Sequence, residues 1–156
     1  MAKQLTLHEV LESAIQKEIV SRNLYVKLSR TMQNRAAKDA FQILAGQEEI
    51  HQHILEDYLQ GRLNDGTLSP GFVVDYKIAD CLDQPEISAN MEIKDIFLIA
   101  AKKEISSHLL YAELSAIHPP GAVKRLLEEL ASQELDHKNR IETLYTEVAF
   151  PQTDGG

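Results

Sequence analysis

Tryptophan is absent and aromatics make up only 6% of the chain, which favours a helical core packed from Leu, Ile and Ala over a β-sandwich. The single cysteine, Cys81, excludes an internal disulfide framework and fits a reducing cytoplasm. It equally excludes a four-cysteine iron centre within these residues. No apolar stretch is long enough for a signal peptide or a membrane span, so a cytoplasmic location is expected. Basic residues are in deficit: 16 Lys and Arg against 24 Asp and Glu give a net charge of -8. Nucleic acid would need a basic stripe and an anionic membrane a basic face, and both partners are therefore excluded. What remains is 156 residues, 44% hydrophobic and 26% charged, the composition of one globular domain with a real core.

Within that unexceptional composition the chain repeats itself at an offset of 86 residues. Lys17-Glu18-Ile19-x-Ser21-x-x-Leu24-Tyr25-x-x-Leu28-Ser29 recurs as Lys103-Glu104-Ile105-x-Ser107-x-x-Leu110-Tyr111-x-x-Leu114-Ser115. With the same offset and no gap, Leu44-Ala45-x-Gln47-Glu48-x-x-His51 recurs as Leu130-Ala131-x-Gln133-Glu134-x-x-His137. Each half supplies one isolated Glu and then one Glu-x-x-His. Internal repeats fix architecture, and this one carries chemistry with it.

Core positions follow at alternating spacings of four and three, the seam of a bundle helix. They are Leu7, Leu11, Ala14, Glu18, Ser21, Tyr25, Leu28 and Met32, then Ala37, Phe41, Leu44, Glu48, His51, Leu55 and Tyr58. The second half gives Ile93, Phe97, Ala100, Glu104, Ser107, Tyr111 and Leu114, then Val123, Leu127, Leu130, Glu134, His137, Ile141 and Leu144. Each seam is apolar at both ends and polar in its middle. Thr6 with Glu9 is a capping box opening the first helix. Gly61 and Asn64-Asp65-Gly66 end the second, and Pro119-Pro120-Gly121 separates the third from the fourth. Helices are predicted over 6–32, 35–62, 91–117 and 121–147. The expected organisation is one domain, 1–156: a helix pair over 6–62, a crossover over 63–90 holding the β-prone run Phe72-Val73-Val74, a second pair over 91–147, and a frayed tail over 148–156. Short links within each half and one long link between them define an all-α, ferritin-like antiparallel four-helix bundle made of two repeated helix pairs.

Glu48 and His51 are three residues apart and project from one helix face, as do Glu134 and His137. A single Glu-x-x-His is weak, but this one is duplicated, each copy follows a helix with a lone Glu, and all six residues fall on seam positions. Burying four carboxylates needs positive charge, and Lys and Arg are absent from the middle of every seam. Two divalent metal ions supply it. Glu48 and Glu134 face one another and are placed to bridge the ions, Glu18 with His51 finishing one and Glu104 with His137 the other. Carboxylate and imidazole donors suit iron or manganese and offer no thiolate to select zinc, although zinc can substitute. Tyr25 and Tyr111 read either as core packing or as hydroxyls donating to ligand carboxylates. Gln47 and Gln133 read as helix-surface residues that happen to match, His8, His53, His108 and His118 as surface or rim histidines, and Cys81 as a small apolar residue.

These residues resemble the rubrerythrin group of ferritin-like di-iron proteins, over both helix pairs. The group's first-helix Glu followed by Tyr matches Glu18 and Tyr25. Its Glu-x-x-His pairs match Glu48/His51 and Glu134/His137, and its third-helix Glu matches Glu104. The resemblance implies two iron ions, a homodimer or larger assembly, and peroxide reduction with electrons from a rubredoxin-type centre. No such centre lies within these residues, so the implied electron donor is a separate protein. The group also carries an additional Glu one turn after the third-helix ligand, where this chain has Ser107. Three functions stand open on the residues: a redox protein reacting with peroxide or dioxygen, iron(II) oxidation and handling, or a metal-stabilised binding protein without turnover.

Overall fold

The computed structural model describes residues 4–82, 87–88 and 90–149. From residue 150 on, the predicted tail lies outside the described residues. Four long helices carry the fold: α1 (Leu7–Thr31), α2 (Arg35–Leu59), α4 (Ile93–Ile117) and α5 (Ala122–Ala149), with a short α3 (Tyr76–Asp80) in the crossover. Shifting α1 by the repeat offset of 86 reproduces the bounds of α4.

Local chemistry sets the ends. Thr6 caps α1 with the reciprocal Glu9 of a capping box. The α1–α2 junction has a signal that the repeat alone did not reveal: Asn34 is the N-cap of α2, its side chain accepting from Ala37 N at 3.1 Å. Gly61, at φ 77°, turns the chain just past α2, a backbone conformation costly for a residue with a Cβ. The N-terminus of α5 is capped from a distance, Ala122 N donating to Asp65 Oδ2 at 3.0 Å.

The crossover is tied to α1 along its middle. Its β-prone run forms an isolated bridge between Val73 and Thr6. Leu7 N donates to Phe72 O at 2.7 Å and His8 N to Pro70 O at 3.0 Å, satisfying donors that a helix start leaves without intrahelical partners. Lys17 Nζ reaches Cys81 O at 2.6 Å.

All the seam positions read from the sequence are buried except Ile93, which is half-buried. They separate into two apolar clusters. One contains Leu7, Leu11, Leu55, Tyr58, Tyr111, Leu114, Leu127 and Leu130, and the other Tyr25, Leu28, Phe41, Leu44, Phe97, Ile141 and Leu144. The polar middle of the seams lies between them. Among the described residues no helix is long and apolar enough to cross a membrane.

Candidate metal centre

α1 and α2 bring Glu18, Glu48 and His51 to the middle of the bundle, and α4 and α5 bring Glu104, Glu134 and His137 to meet them. All six are buried, none more than 3% exposed. Their donor atoms form two overlapping groups, Glu18/Glu48/His51/Glu134 and Glu48/Glu104/Glu134/His137, with the atoms of each group within 4.8 Å of one another. Glu48 and Glu134 belong to both groups. The imidazole rings stack with centroids 5.6 Å apart and planes 9° from parallel.

The shortest contacts cross between the two helix pairs, and the longer ones stay within a pair. His51 Nδ1 lies 2.6 Å from Glu134 Oε1 and 3.8 Å from Glu18 Oε1. His137 Nδ1 lies 2.7 Å from Glu48 Oε1 and 3.6 Å from Glu104 Oε2. The far nitrogen of each ring is occupied: Gln133 Oε1 sits 2.7 Å from His51 Nε2, and Gln47 Oε1 sits 2.6 Å from His137 Nε2. An amide oxygen only accepts, so each Nε2 carries the hydrogen and donates it. In the neutral ring this turns the Nδ1 lone pair toward the carboxylates.

Tyr25 Oη donates to Glu104 Oε1, and Tyr111 Oη donates to Glu18 Oε1. The hydroxyl reading of both tyrosines is the one the structure takes, and each acts on the glutamate of the other helix pair. This reciprocity shows α1 and α4 running antiparallel, as the His51/Glu134 and His137/Glu48 contacts show for α2 and α5.

Gln47 and Gln133 are corrected by these contacts. One is half-buried and the other exposed, yet both amide oxygens orient an imidazole. Their signal was present in the sequence, since both copies of the repeat place Gln immediately before the Glu of Glu-x-x-His. His118 is corrected too: it is 4% exposed and bonded to Tyr58. His53 is exposed and His8 half-buried, and half-buried His108 bonds Ala131 O through Nδ1 at 2.7 Å.

The electrostatics ask for a cation. Burial, then repulsion from Glu134, Glu18 and Glu104, pushes the Glu48 carboxyl well above its ordinary range. Burial with the charges of Glu104 and Glu18 does the same to Glu134. Burial also acts to raise Glu18, but bonds from Glu48 and His51 outweigh it and hold that carboxyl low. His51, which burial would lower, is raised by Glu18. Four atoms of the cluster, Glu18 Oε2, His51 Nδ1, Glu104 Oε2 and Glu134 Oε1, are buried without a hydrogen-bond partner. His51 Nδ1 and Glu134 Oε1 are thus in close approach without pointing at one another. Two ligands at right angles on one ion, with bonds near 2.05 Å, lie about 2.9 Å apart. The orphaned atoms and their spacing fit donors aimed at shared ions.

The fold and the cluster together define a ferritin-like four-helix bundle with a buried carboxylate and imidazole donor set for two metal ions. The rubrerythrin family model matches residues 9–70 and 95–154, and the chain belongs to that family. Solved structures share the fold. A protein from Thermotoga maritima, described as a ferritin-like diiron-carboxylate protein, has 20% identity and a TM-score of 0.74, covering 95% of this chain and 99% of that one. A hypothetical protein from Pyrococcus furiosus has 23% identity and a TM-score of 0.75, covering 96% of this chain and 94% of that one. No curated protein matches.

Proposed function

We propose that the chain is a non-haem di-iron redox protein that reduces peroxide or dioxygen with electrons from a separate donor protein. One observation carries the reading: two donor groups, each with one imidazole, share Glu48 and Glu134 in a buried cluster whose unpartnered atoms converge. Membership of the rubrerythrin family and the diiron-carboxylate description of the Thermotoga protein point the same way. Glu48 and Glu134, common to both donor groups, would serve both ions, with Glu18 and His51 holding one and Glu104 and His137 the other. The donor set suits iron or manganese, and zinc as a substitute. A homodimer in the cytoplasm completes the proposal.

Bound iron would supply the one-electron changes that peroxide or dioxygen reduction requires. The chain's own residues set the conditions for it. Gln133 and Gln47 keep both rings in the tautomer that presents Nδ1 inward. Tyr25 and Tyr111 hold Glu104 and Glu18 by one oxygen each, leaving Glu104 Oε2 and Glu18 Oε2 free of hydrogen bonds. Burial keeps both phenols protonated, foremost by withholding water from the phenolate. The two apolar clusters exclude water along the bundle axis. Buried Ser21 and Ser107, one turn after Glu18 and Glu104, keep the side-chain bulk small beside those carboxylates.

The test is anaerobic loading with iron(II), a count of metal per chain, and then titration with peroxide or air. Two irons per chain, a rapid optical change and its reversal by reductant are expected. Transfer of ferric iron to an external chelator would show iron handling instead, and an unchanged spectrum would show a metal-stabilised binding protein.

A further inference from the structure

Tyr58 and His118, sixty residues apart in sequence, meet at one end of the bundle. Tyr58 Oη lies 2.6 Å from His118 Nε2, and His118 Nδ1 lies 2.6 Å from Leu114 O. A carbonyl only accepts, so Nδ1 carries the hydrogen, and Nε2 in the neutral ring accepts the phenolic proton of Tyr58. Leu68 N donates to the same phenol oxygen at 3.0 Å. Burial, ahead of other influences, lowers His118 and so favours the neutral ring, while burial raises Tyr58. The result is a protonated phenol bonded to an unprotonated imidazole nitrogen that can take its proton.

Packing alone does not call for this pair. The repeat offset of 86 relates Tyr58 to Leu144 and His118 to Met32, and both of those are buried in the opposite apolar cluster. The same two places in the fold are filled by hydrocarbon and thioether at one end and by a phenol and an imidazole at the other. The polar pair also has a particular position. Tyr58 is seven residues beyond His51 on α2, about 10.5 Å along the helix. It shares its apolar cluster with Tyr111, whose hydroxyl holds Glu18. It also lines a cleft of about 140 Å³ together with Leu7, His8, Leu11, Leu63, Leu68 and Pro70.

We propose that Tyr58 and His118 form a proton-coupled electron relay between that cleft and the dinuclear site, an inference that rests on the redox reading above. In the outward step Tyr58 loses one electron to the site, oxidised by peroxide or dioxygen. Its O–H bond breaks, and the proton forms an N–H bond at His118 Nε2 while Nδ1–H stays on Leu114 O. In the return step a one-electron donor protein at the cleft reduces the tyrosyl radical, and the proton goes back from Nε2 to the phenol oxygen. The pair ends unchanged and one electron has moved from donor to site. Without His118 the phenol loses the one base to which its hydroxyl is bonded.

Flash oxidation by a photoexcited ruthenium polypyridyl complex with persulfate, on zinc-loaded protein, tests the pair apart from any iron chemistry. On a Tyr76→Phe/Tyr145→Phe background, which removes the exposed and half-buried phenols, a tyrosyl radical seen by electron paramagnetic resonance is expected, absent when Tyr58→Phe is added. In His118→Gln, which keeps an acceptor but not a comparable base, its formation slows roughly a hundredfold. The double variant Tyr58→Leu/His118→Met copies the pair found at the other end, so folding is preserved while the radical is lost. A radical that forms equally fast in His118→Gln, or survives in Tyr58→Phe, overturns the proposal. With iron and peroxide, donor oxidation slows in Tyr58→Phe, and an unchanged rate overturns the relay. A parent chain that ignores peroxide yet shows the His118-dependent radical overturns the peroxide reading and leaves the redox pair standing.

Discussion

Replacing Gln47 or Gln133 by Ala removes the acceptor that fixes one imidazole and leaves the rest of the donor set in place. His137 loses its 2.6 Å partner in Gln47→Ala, and His51 its 2.7 Å partner in Gln133→Ala. The freed ring samples the other tautomer, in which Nδ1 carries a hydrogen and cannot bind metal. Loss of such an outer partner lowers metal affinity by about 10–100-fold. The two sites differ in shelter: Gln133 is exposed, so water can replace it as acceptor, whereas Gln47 is half-buried. Gln133→Ala is therefore placed near tenfold, about 1.4 kcal/mol, and Gln47→Ala nearer a hundredfold, about 2.7 kcal/mol. Gln47→Glu keeps an acceptor oxygen and should retain most of the affinity. Anaerobic competition of manganese(II) or iron(II) against a fluorescent chelator reads these differences, with helical circular dichroism as the control for folding. Alanine variants that bind both ions like the parent, or a Gln47→Glu variant no better than Gln47→Ala, would refute the tautomer argument.

Metal and pH should act together on stability. Glu48 and Glu134 have folded pKa values above the ordinary 4.5, and His51 is raised as well, so the metal-free folded chain holds more protons than the unfolded one. Their stabilisation is complete below the unfolded pKa values and is lost as pH rises through the folded ones, while Glu18, held low, works in the opposite sense. Metal-free protein should therefore melt lower at about pH 8 than at about pH 5, and apparent metal affinity should rise over the same range. A metal-free melting temperature that is flat in pH, or unaffected by adding iron(II) or manganese(II), would contradict the buried-carboxylate account. Phe41, fully buried between Tyr25 and Phe97 at ring separations of 5.9 and 5.4 Å, should lose about 3–5 kcal/mol on change to Ala, measured by urea unfolding. A loss below about 1 kcal/mol would mean that this end of the core is loosely packed. Ser107→Glu adds a carboxylate one turn after Glu104 and is expected to raise peroxide turnover with a fixed donor, more than Ser21→Glu does. Equal rates in parent and both variants would show that this position does not limit the chemistry.

Much of the bundle was legible because helix geometry is written into spacing. Leu7, Leu11 and Ala14 at four and three residues must share a face, and a face bearing Glu18 at its centre has to be matched by others of the same kind. The duplicated Glu-x-x-His located six residues that the structure gathers, since a repeat of helix pairs brings equivalent positions to one level. The N-cap at Asn34 has no such signature, because a cap is one residue without periodicity. Gln47 and Gln133 were legible as a pattern and misread, since their positions beside the seam look like a solvated face until the opposite imidazole is in place.

The sequence by itself determined the helices, the polar layer in their middle and the six residues of that layer, all of which follow from distances along a single helix. Only the tertiary structure decided which groups touch across helices. Tyr25 lies about 10.5 Å along α1 from Glu18, too far to bond it, and antiparallel α4 carries Glu104 to its hydroxyl instead. The crossing of Gln47 to His137 and Gln133 to His51, and the meeting of Tyr58 with His118, depend likewise on the sense and register in which helices dock. Spacing along one chain segment fixes a face, but it leaves open what stands opposite.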